Sequence, residues 1–453
     1  MSVPLMSTPP ASGTQSLAAL AKADGVRFLL ATFTTLTGKP CAKLVPVEAA
    51  DALEGEGVGF AGYAAGAMGQ LPCDPDVMAL PDVASYVPLT FVRPGLGMVH
   101  CDPHVEGRPY AFAPRVILRT LAEKAAAEGT RLVSGAEVEY FLVQRGADGA
   151  LTTADRLDDA AQPCYDARGL TRMYDHLTAV SDAMVRLDWG PYASDHEDGN
   201  GQFEQNFHHA DALTTADRVV TLRYIVQVLA EQRGMTATFM PKPFTDRTGS
   251  GLHMHLSLWD RERALFPAGD GNTADQYGMG FSPEAYHFSA GLLAHAPALH
   301  ALIAPTVNSY KRTGATTTAS GATWAPRTAS WGGNDRTHFL RVPDAHRVEM
   351  RGGDGSANSY LAAAGALGAG LDGVRRGLDP GRPGLGEDGP RLPRTLLDAV
   401  HALEGDDIVR GVLDAVDAKA GVSDYYAELK REEFYSWHNT VSPWEIDRYL
   451  TAV

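Results

Sequence analysis

The stretch Gly249–Ser257 carries two glycines in its first three residues and then a strict alternation of apolar and polar side chains. Alternation with a period of two is typical of a β-strand with one buried face. One face of this strand would carry His253, His255 and Ser257. Two imidazoles and a hydroxyl on one face predict either a metal or phosphate site on a sheet, or a histidine pair that is merely hydrogen-bonded.

A second strand is predicted from Leu132 to Val143, with Glu137 and Glu139 on the same face as Phe141. Two carboxylates buried side by side are costly, because each unpaired ion taken out of water costs several kcal/mol. Glu137 and Glu139 are therefore expected either to lie beside a cation or to be solvated on an edge strand.

Two further segments combine charges in a way that suits a site. Glycines in 196–206 mark a bend across which Glu197 and Glu204 converge, unless the segment is a solvated acidic loop. In a strand over 347–351, Arg347, Glu349 and Arg351 share one face. That face is either a ladder of surface ion pairs or an anion clamp, with arginines for phosphate or carboxylate on both sides of a metal-bound glutamate.

Composition argues against several classes of function. The 453 residues are 44% apolar and 21% charged, which is ordinary for two globular domains or one large one. A net charge of −16 argues against nucleic acid or an anionic membrane as the main partner. The four cysteines lack the spacing of a disulfide framework or zinc site, so we expect a cytoplasmic protein. No apolar run is long enough to span a bilayer.

The chain is predicted to divide at about residue 112. Residues 1–13 are rich in Ser, Pro and Thr and predict a disordered tail. Residues 14–112 alternate short apolar runs with Gly and Pro, which indicates a small β-rich domain, and Gly107–Tyr110 is interpreted as a linker. The remaining 113–453 form a larger domain that mixes strands with long helices.

Helical spacing and capping signals locate the helices of the larger domain. Ser282 followed by Pro283 marks one helix start, because serine caps and proline suits the first turn. The long loop 313–323 is predicted to be a lid. The other predicted helices lie at 114–129, 171–187 and 213–234 and through much of 358–453.

Five separated motifs in register resemble those of the glutamine synthetase superfamily. They are Glu137-Val138-Glu139-Tyr140-Phe141; Glu197 with Gly201-Gln202-Phe203-Glu204; Gly249-Ser250-Gly251-Leu252-His253-Met254-His255; Asn308-Ser309-Tyr310-Lys311-Arg312; and Arg347-Val348-Glu349-Met350-Arg351. The resemblance implies an α+β fold, with a small N-terminal β-grasp domain and a catalytic domain built on a curved antiparallel sheet flanked by helices. It also implies a ring-shaped homo-oligomer, usually a dodecamer of two hexameric rings.

The same resemblance implies which residues act. One divalent cation, Mg²⁺ or Mn²⁺, would be bound by Glu139, Glu197 and Glu204, and another by Glu137, His253 and Glu349. ATP would lie against His255, Ser257, Arg336, Arg341 and Arg347, and L-glutamate against Gly249, Arg312 and Arg351. The catalytic set would be Glu137, Glu139, Arg312, Arg336 and Glu349.

The implied reaction has two steps, in which ATP phosphorylates the γ-carboxylate of glutamate and an amine then displaces phosphate. Ammonia-using members carry an aspartate where this chain has Ala61, and a flap glutamate where it has Trp324. The flap Ser320–Pro326 resembles that of γ-glutamylmethylamide synthetases and rhizobial type III synthetases. We therefore expect an amine pocket at Ala61 and Trp324 that accepts methylamine.

Other functions stay open at this point. Ammonia, ethanolamine or a polyamine are alternative acceptors, and Asp74 or Asp76 are candidates to replace the missing carboxylates. A metal-dependent hydrolase would need further histidines and aspartates at barrel strand ends. A catalytically silent scaffold would be expected to lack metal ligands, whereas all six residues are present. The short segment 378–393 contains no tyrosine, so no control by adenylylation is expected.

Overall fold

The protein was analysed as a computed structural model that describes residues 15–147, 149–261, 263–269, 275–315, 318–319, 323–387 and 389–452. The described chain forms two compact units. The N-terminal unit comprises the described residues through Phe33 together with Pro40–Ala65 and Gln70–Tyr110. The C-terminal unit comprises Thr34–Lys39, Gly66–Gly69 and the chain from Ala111 onward.

The N-terminal unit contains a mixed sheet in the order β2-β1-β6-β4-β3, and β5 and β7 also pair with β6. Strand β1 runs parallel to β6, whereas β4 is antiparallel to it. The strands are β1 (Phe28–Thr34), β2 (Pro40–Pro46), β3 (Val58–Phe60), β4 (Val77–Pro81), β5 (Val87–Pro88), β6 (Leu96–Val105) and β7 (Arg108–Pro109); the helices are α1 (Leu17–Ala23), α2 (Ala50–Glu56) and α3 (Gly62–Ala65).

The C-terminal unit is built on a sheet of eleven strands, seven of which follow the order β10-β11-β8-β14-β18-β17-β16, while β9, β12 and β13 pair with β8 and β15 pairs with β14. Strand β8 is fifteen residues long and rich in Val, Leu, Tyr and Phe, which favour strands because their side chains pack well on a pleated surface. The strands are β8 (Arg131–Arg145), β9 (Leu151–Thr153), β10 (Ala193–His196), β11 (Gln202–Asn206), β12 (Ala210–Asp211), β13 (Thr236–Thr238), β14 (Leu252–Asp260), β15 (Arg263–Ala264), β16 (Trp331–Gly332), β17 (Leu340–Asp344) and β18 (Arg347–Met350).

Helices cover the apolar face of this sheet, where Leu252 and Met254 of β14 are buried. Small residues let the helices pack closely: a Cβ on Gly291 would lie 2.1 Å from the carbonyl oxygen of Ala369. The helices are α4 (Pro114–Ala127), α5 (Ala167–Arg172), α6 (Tyr174–Arg186), α7 (Ala212–Glu231), α8 (Pro283–Ala294), α9 (Ala296–Ile303), α10 (Ser309–Thr313), α11 (Ser359–Arg376), α12 (Leu396–Glu404), α13 (Asp407–Leu413), α14 (Val422–His438) and α15 (Pro443–Tyr449). None of the helices in the described part of the chain is both long and apolar enough to cross a membrane.

Two sequence interpretations were wrong. Gly107–Tyr110 is not a linker, because Arg108 pairs with Val105 in a hairpin of β6 and β7. Glu106 and Gly107 both have positive φ, as a two-residue hairpin turn often requires. The predicted helix 171–187 is two helices, α5 and α6, that meet at Met173, whose backbone leaves helical geometry. The helix that begins after the Ser282 cap is confirmed as α8.

His295 connects four helices of the C-terminal unit. It lies between α8 and α9, and its ring nitrogens lie 2.7 Å from Asp406 Oδ2 and 3.0 Å from Asp372 Oδ2. Asp406 also caps α13, and Asp372 belongs to α11. Burial opposes protonation, but the hydrogen bonds to Asp406 and Asp372 outweigh it and hold the pKa of His295 above its ordinary value of 6.5.

We predict that His295→Gln destabilises the protein most at low pH. A group whose pKa is raised on folding contributes stability fully below its unfolded pKa and loses it as the pH rises through the folded pKa. The loss should be roughly 1.5–3 kcal/mol at about pH 6, typical of hydrogen bonds to charged groups, and smaller at about pH 9. Thermal unfolding at both pH values, with the exposed His401→Gln as control, measures it. An equal loss at both pH values would contradict this assignment.

Candidate active site

The register of three adjacent strands assembles the centre of the site. Glu137 on β8 lies directly opposite His253 on β14, and His255 lies opposite Glu349 on β18. Glu137 consequently lies 3.1 Å from His253 Nδ1 and 2.8 Å from His255 Nε2. Because side chains alternate along a strand, this pairing gathers the polar residues on one face and leaves Leu252 and Met254 to the helices.

A fourth strand adds the remaining carboxylates. Strand β11 pairs with β8 so that Glu204 lies opposite Glu139. Glu139 accepts hydrogen bonds of 2.8 Å from Gln202 Nε2 and 2.8 Å from the backbone nitrogen of Gly251. Glu197 lies at the bend between β10 and β11, as the sequence predicts. The structure thus brings all six predicted metal ligands together around one cavity on the polar face of the sheet.

Burial and mutual repulsion together oppose ionisation of the carboxylates on the β11 side of this cluster. Burial, followed by the charges of Glu139 and Asp198, raises the pKa of Glu197 well above its usual range. Burial, followed by the charges of Glu137 and Glu197, does the same to the pKa of Glu204. Neither carboxylate has a cationic side chain within ion-pair distance among the described residues. Ionisation of both therefore calls for an added cation.

Histidines and arginines stabilise the carboxylates on the β14 side. Burial opposes ionisation of Glu137, but hydrogen bonds from His253 and His255 bring its pKa well below the usual range. Burial likewise opposes ionisation of Glu349, whose pKa is nonetheless lowered by His253 and Arg351. Glu349 accepts a bond of 2.6 Å from Arg341 and another from Arg351, so its two oxygens are paired within the protein.

The donor set fits divalent cations of the Mg²⁺ and Mn²⁺ type, which prefer carboxylate oxygen and in the case of Mn²⁺ also accept imidazole. Ligand atoms of Glu137, Glu204 and His253 lie within 4.8 Å of one another, as do those of Glu137, His255 and Glu349. These two groups divide the residues differently from the two ligand sets that the resemblance implies, because Glu204 is grouped with Glu137 and His253. The six residues are together, and their division between individual ions stays a prediction.

Arg312 offers a buried guanidinium beside the cluster. It lies on α10, its guanidinium is buried, and its Nη1 atom has no hydrogen-bond partner among the described residues. An unpaired buried donor is costly, so a ligand oxygen is the expected partner. A Cβ on Gly249 would lie 2.4 Å from Pro241 O and 2.7 Å from Arg312 Cγ, so only glycine fits against this side chain.

Asn308 fastens the two segments that carry Gly249 and Arg312. Its side-chain oxygen accepts from the backbone nitrogen of Lys242 at 2.7 Å, and its side-chain nitrogen donates to the carbonyl of Lys242 at 3.1 Å. Ser250 in turn donates from its backbone nitrogen to Pro241 O at 2.8 Å. The glycine loop and the start of α10 are therefore both hydrogen-bonded to the same segment, residues 241–242.

The polar residues surround a cavity of about 530 Å³. On one side the indole of Trp324 donates to Asp198 Oδ2 at 2.8 Å. Trp324 is 45% exposed, so it lies at the mouth of the cavity. The other residues along the wall include Glu137, Glu139, Glu197, Glu204, Gly249, His253, Arg312, Arg336, Arg341, Arg347 and Arg351, together with Cys164, Tyr165, Tyr192, Asp195, Asn206 and Thr248.

Sequence reasoning missed part of this wall. Asp198 was visible only as one more acid in the bend after His196, and nothing in the sequence connects it to Trp324, which is 126 residues away. Cys164, Tyr165 and Tyr192 carry no pattern that points to a cavity. Ser257 is buried and accepts from Trp259 at 2.9 Å. The roles of Ser257 and His255 with ATP, and of Ala61 in the N-terminal unit, stay predictions, and residues 320–322 of the flap lie outside the described residues.

Proteins of known family resemble this chain over most of its length. The sequence pattern of the family described as "Glutamine synthetase, catalytic domain" matches residues 111–449. A glutamine synthetase of Rhizobium leguminosarum bv. phaseoli is 40% identical over 96% of this chain and 99% of its own length. A glutamate–methylamine ligase of Methyloversatilis universalis is 39% identical over 95% of this chain and 97% of its own.

Solved structures agree in fold. One described as a "GmaS/ADP complex" superposes with a TM-score of 0.89 at 43% identity, over 96% of this chain and 100% of its own. One described as "Apo GmaS without ligand" has a TM-score of 0.88 at 42% identity, over 97% of this chain and 100% of its own. The α+β fold and the predicted resemblance are confirmed, and the chain belongs to the glutamine synthetase family.

Proposed function

We propose that this protein joins an alkylamine, with methylamine as the first candidate, to the γ-carboxylate of L-glutamate at the expense of ATP. The γ-carboxylate oxygen attacks the terminal phosphorus of ATP, which releases ADP and forms an acyl phosphate. The amine nitrogen then attacks the acyl carbon, the carbon–oxygen bond to phosphate breaks, and a proton leaves nitrogen. The observation that carries the proposal is the acidic and arginine-lined cavity beside the buried, unpaired Arg312 Nη1.

Divalent cations would be held by Glu137, Glu139, Glu197, Glu204, His253 and Glu349. When bound, such ions supply positive charge that neutralises phosphate oxygens. The protein's own contribution is placement: five of the six residues lie on strands β8, β11, β14 and β18, and Glu197 lies in the bend between β10 and β11. Rigid placement lowers the reorganisation needed when charge shifts during phosphoryl transfer.

Arginines would bind the two acidic substrates. Arg336, Arg341 and Arg347 line the cavity and offer planar donor groups that match phosphate oxygens. Arg312 lies against Gly249, and Arg351 lines the same cavity, so these two arginines would hold the carboxylates of glutamate. Buried guanidinium groups keep their charge, so the site keeps glutamate anionic and its γ-oxygen directed toward the phosphate.

The amine would enter beside Trp324 and Asp198. An indole face attracts an ammonium or alkylammonium ion, and the Asp198 carboxylate beside it provides a counter-charge and an acceptor for the proton that the nucleophile must lose. This carboxylate, absent from the sequence prediction, is a more direct replacement for the missing acids than Asp74 or Asp76. The indole next to it gives the methyl group an apolar surface.

The choice between methylamine and ammonia rests on this pocket and not on overall similarity. Relatives named glutamine synthetase and glutamate–methylamine ligase are 40% and 39% identical to the chain, which does not separate them. One buried methyl group is worth about 0.8 kcal/mol, so a preference of about fourfold is expected from burial alone. We therefore expect residual activity with ammonia.

A ring-shaped dodecamer is likewise expected.

The function is tested by phosphate release from ATP in the presence of Mg²⁺ and L-glutamate. We expect release to depend on added amine and to be faster with methylamine than with ammonia, ethylamine, ethanolamine or a polyamine. Release that no amine stimulates would overturn the ligase. Ammonia far outperforming every alkylamine would overturn the alkylamine assignment while leaving the family reaction intact.

Glu349→Ala should lower amine-dependent phosphate release by at least about a hundredfold, the upper range seen when support of a bound metal is lost. The change removes a predicted ligand and leaves Arg341 and Arg351 without their shared carboxylate. Glu349→Gln keeps the shape and should lose activity to a similar degree. The exposed Glu123→Ala on α4 serves as control and should retain full activity. An active Glu349→Gln would remove Glu349 from the metal set.

Trp324→Ala should lower the ratio of kcat/KM for methylamine over that for ammonia by about fourfold, because the methyl group loses its apolar contact. Trp324→Phe keeps an aromatic face and should hold the ratio close to the wild-type value. Steady-state kinetics with both amines at saturating ATP and glutamate give the two ratios. An unchanged ratio in Trp324→Ala would show that the indole takes no part in selecting the amine.

A further inference from the structure

The ring of His196 is held rigidly next to a predicted metal ligand. His196 ends β10 and directly precedes Glu197, and its side chain is completely buried. Its Nδ1 atom lies 2.9 Å from the carbonyl oxygen of Glu197, and its Nε2 atom lies 2.8 Å from Asp158 Oδ2. Both partners accept hydrogen bonds, so both ring nitrogens act as donors and the ring orientation is fixed.

Asp158 binds the bend that separates Glu197 from Glu204. Besides His196, it accepts from the backbone nitrogen of Gly201 and, at 3.1 Å, from Asn200 Nδ2. Asp158 is itself buried. Gly201 has a φ of +76°, and a Cβ there would lie 2.7 Å from Thr153 Cγ2, so the bend has little room to adopt another shape. One buried carboxylate therefore organises the turn between two predicted ligands.

The same histidine supports a second part of the cavity wall. The carbonyl oxygen of His196 accepts from the backbone nitrogen of Tyr165 at 2.9 Å. Tyr165 has a φ of +62°, which is unfavourable for a residue other than glycine and persists only when its surroundings impose it. Cys164 and Tyr165 both line the cavity, whereas Asp158 and His196 do not. Asp158 and His196 thus do not line the cavity themselves. They form hydrogen bonds with two segments that do, the bend between β10 and β11 and the segment of Cys164 and Tyr165.

We infer that Asp158 and His196 are positioning residues, which fix the separation of Glu197 and Glu204 and so set the affinity of this side of the site for a divalent cation. The inference rests on the metal site of the proposed function. Glu197 and Glu204 repel each other when ionised, so a bend without its anchor would let them separate. Partners behind metal ligands commonly change metal affinity by about 10- to 100-fold when they are removed.

The structure provides a matched control for this test. Asp372 accepts from the buried His295, as Asp158 accepts from His196, but Asp372 lies on α11 and does not line the cavity. Asp158→Asn and Asp372→Asn each replace one carboxylate oxygen of a histidine–aspartate pair by an amide nitrogen. Loss of a buried pair should lower thermal stability in both variants, so stability alone cannot distinguish a positioning role from a structural one.

The experiment measures Mn²⁺ binding to the full-length chain by titration calorimetry, with thermal unfolding of the metal-free proteins alongside. We expect both variants to unfold at lower temperature than the wild type. Only Asp158→Asn should bind Mn²⁺ about 10- to 100-fold more weakly. If Asp158→Asn fails to fold, Asn200→Ala removes just one contact of Asp158, and a several-fold weaker binding is then expected.

Three results would overturn the inference: wild-type affinity in Asp158→Asn, wild-type affinity in Asn200→Ala where that variant replaces it, or equal weakening in Asp372→Asn. The experiment also distinguishes an error in the positioning role from an error in the proposed metal site. A wild-type protein that binds no Mn²⁺ would remove the metal site on which the proposed function depends. A wild-type protein that binds Mn²⁺ while Asp158→Asn binds it equally well would remove the positioning role alone.

Discussion

Five buried or half-buried glutamates converge at one cavity on the polar face of the larger sheet, and the need to stabilise their charges explains how the surrounding residues are arranged. Glu137, Glu139, Glu197 and Glu204 line the cavity, and Glu349 is buried beside them. Histidines and arginines stabilise the side formed by β14 and β18, whereas the β11 side has pKa values raised by burial and by neighbouring carboxylates. Divalent cations would relieve that repulsion, and the arginines around the cavity would suit the phosphate groups of the proposed nucleotide substrate.

Residues that do not line the cavity hold its walls in place through hydrogen bonds. Asn308 ties the glycine loop to the start of α10, so the backbone at Gly249 and the guanidinium of Arg312 keep their relative position. Asp158 and His196 do the same for the bend between β10 and β11. Ligands on strands, braced by buried hydrogen bonds, are held more precisely than ligands on loops. Under the proposed function, a change of the half-exposed Trp324 would alter the choice of amine without disturbing the predicted metal ligands.

Much of the fold and the site was predictable because strand periodicity depends on local sequence. Alternation around His253 and Glu137 located β14 and β8, and the serine cap located α8. The hairpin of β6 and β7 was missed because a Gly-Arg-Pro run has the composition of a linker, and the two-residue strand β7 is too short to show an alternation of apolar and polar side chains. The helix break at Met173 lacks a glycine or proline and was not visible either. Pairing of Trp324 with Asp198, and of Asp158 with His196, depends on tertiary structure alone.

The central claim, that the glutamates gather divalent cations, is tested most directly by anomalous scattering. Crystals of the protein with Mn²⁺, ADP and a phosphorylated glutamate analogue would be measured at the manganese absorption edge. We predict about two anomalous peaks per chain, each within about 2.0–2.6 Å of oxygen or nitrogen atoms of Glu137, Glu139, Glu197, Glu204, His253 and Glu349. A cavity without anomalous peaks, or peaks bound elsewhere on the chain, would contradict it.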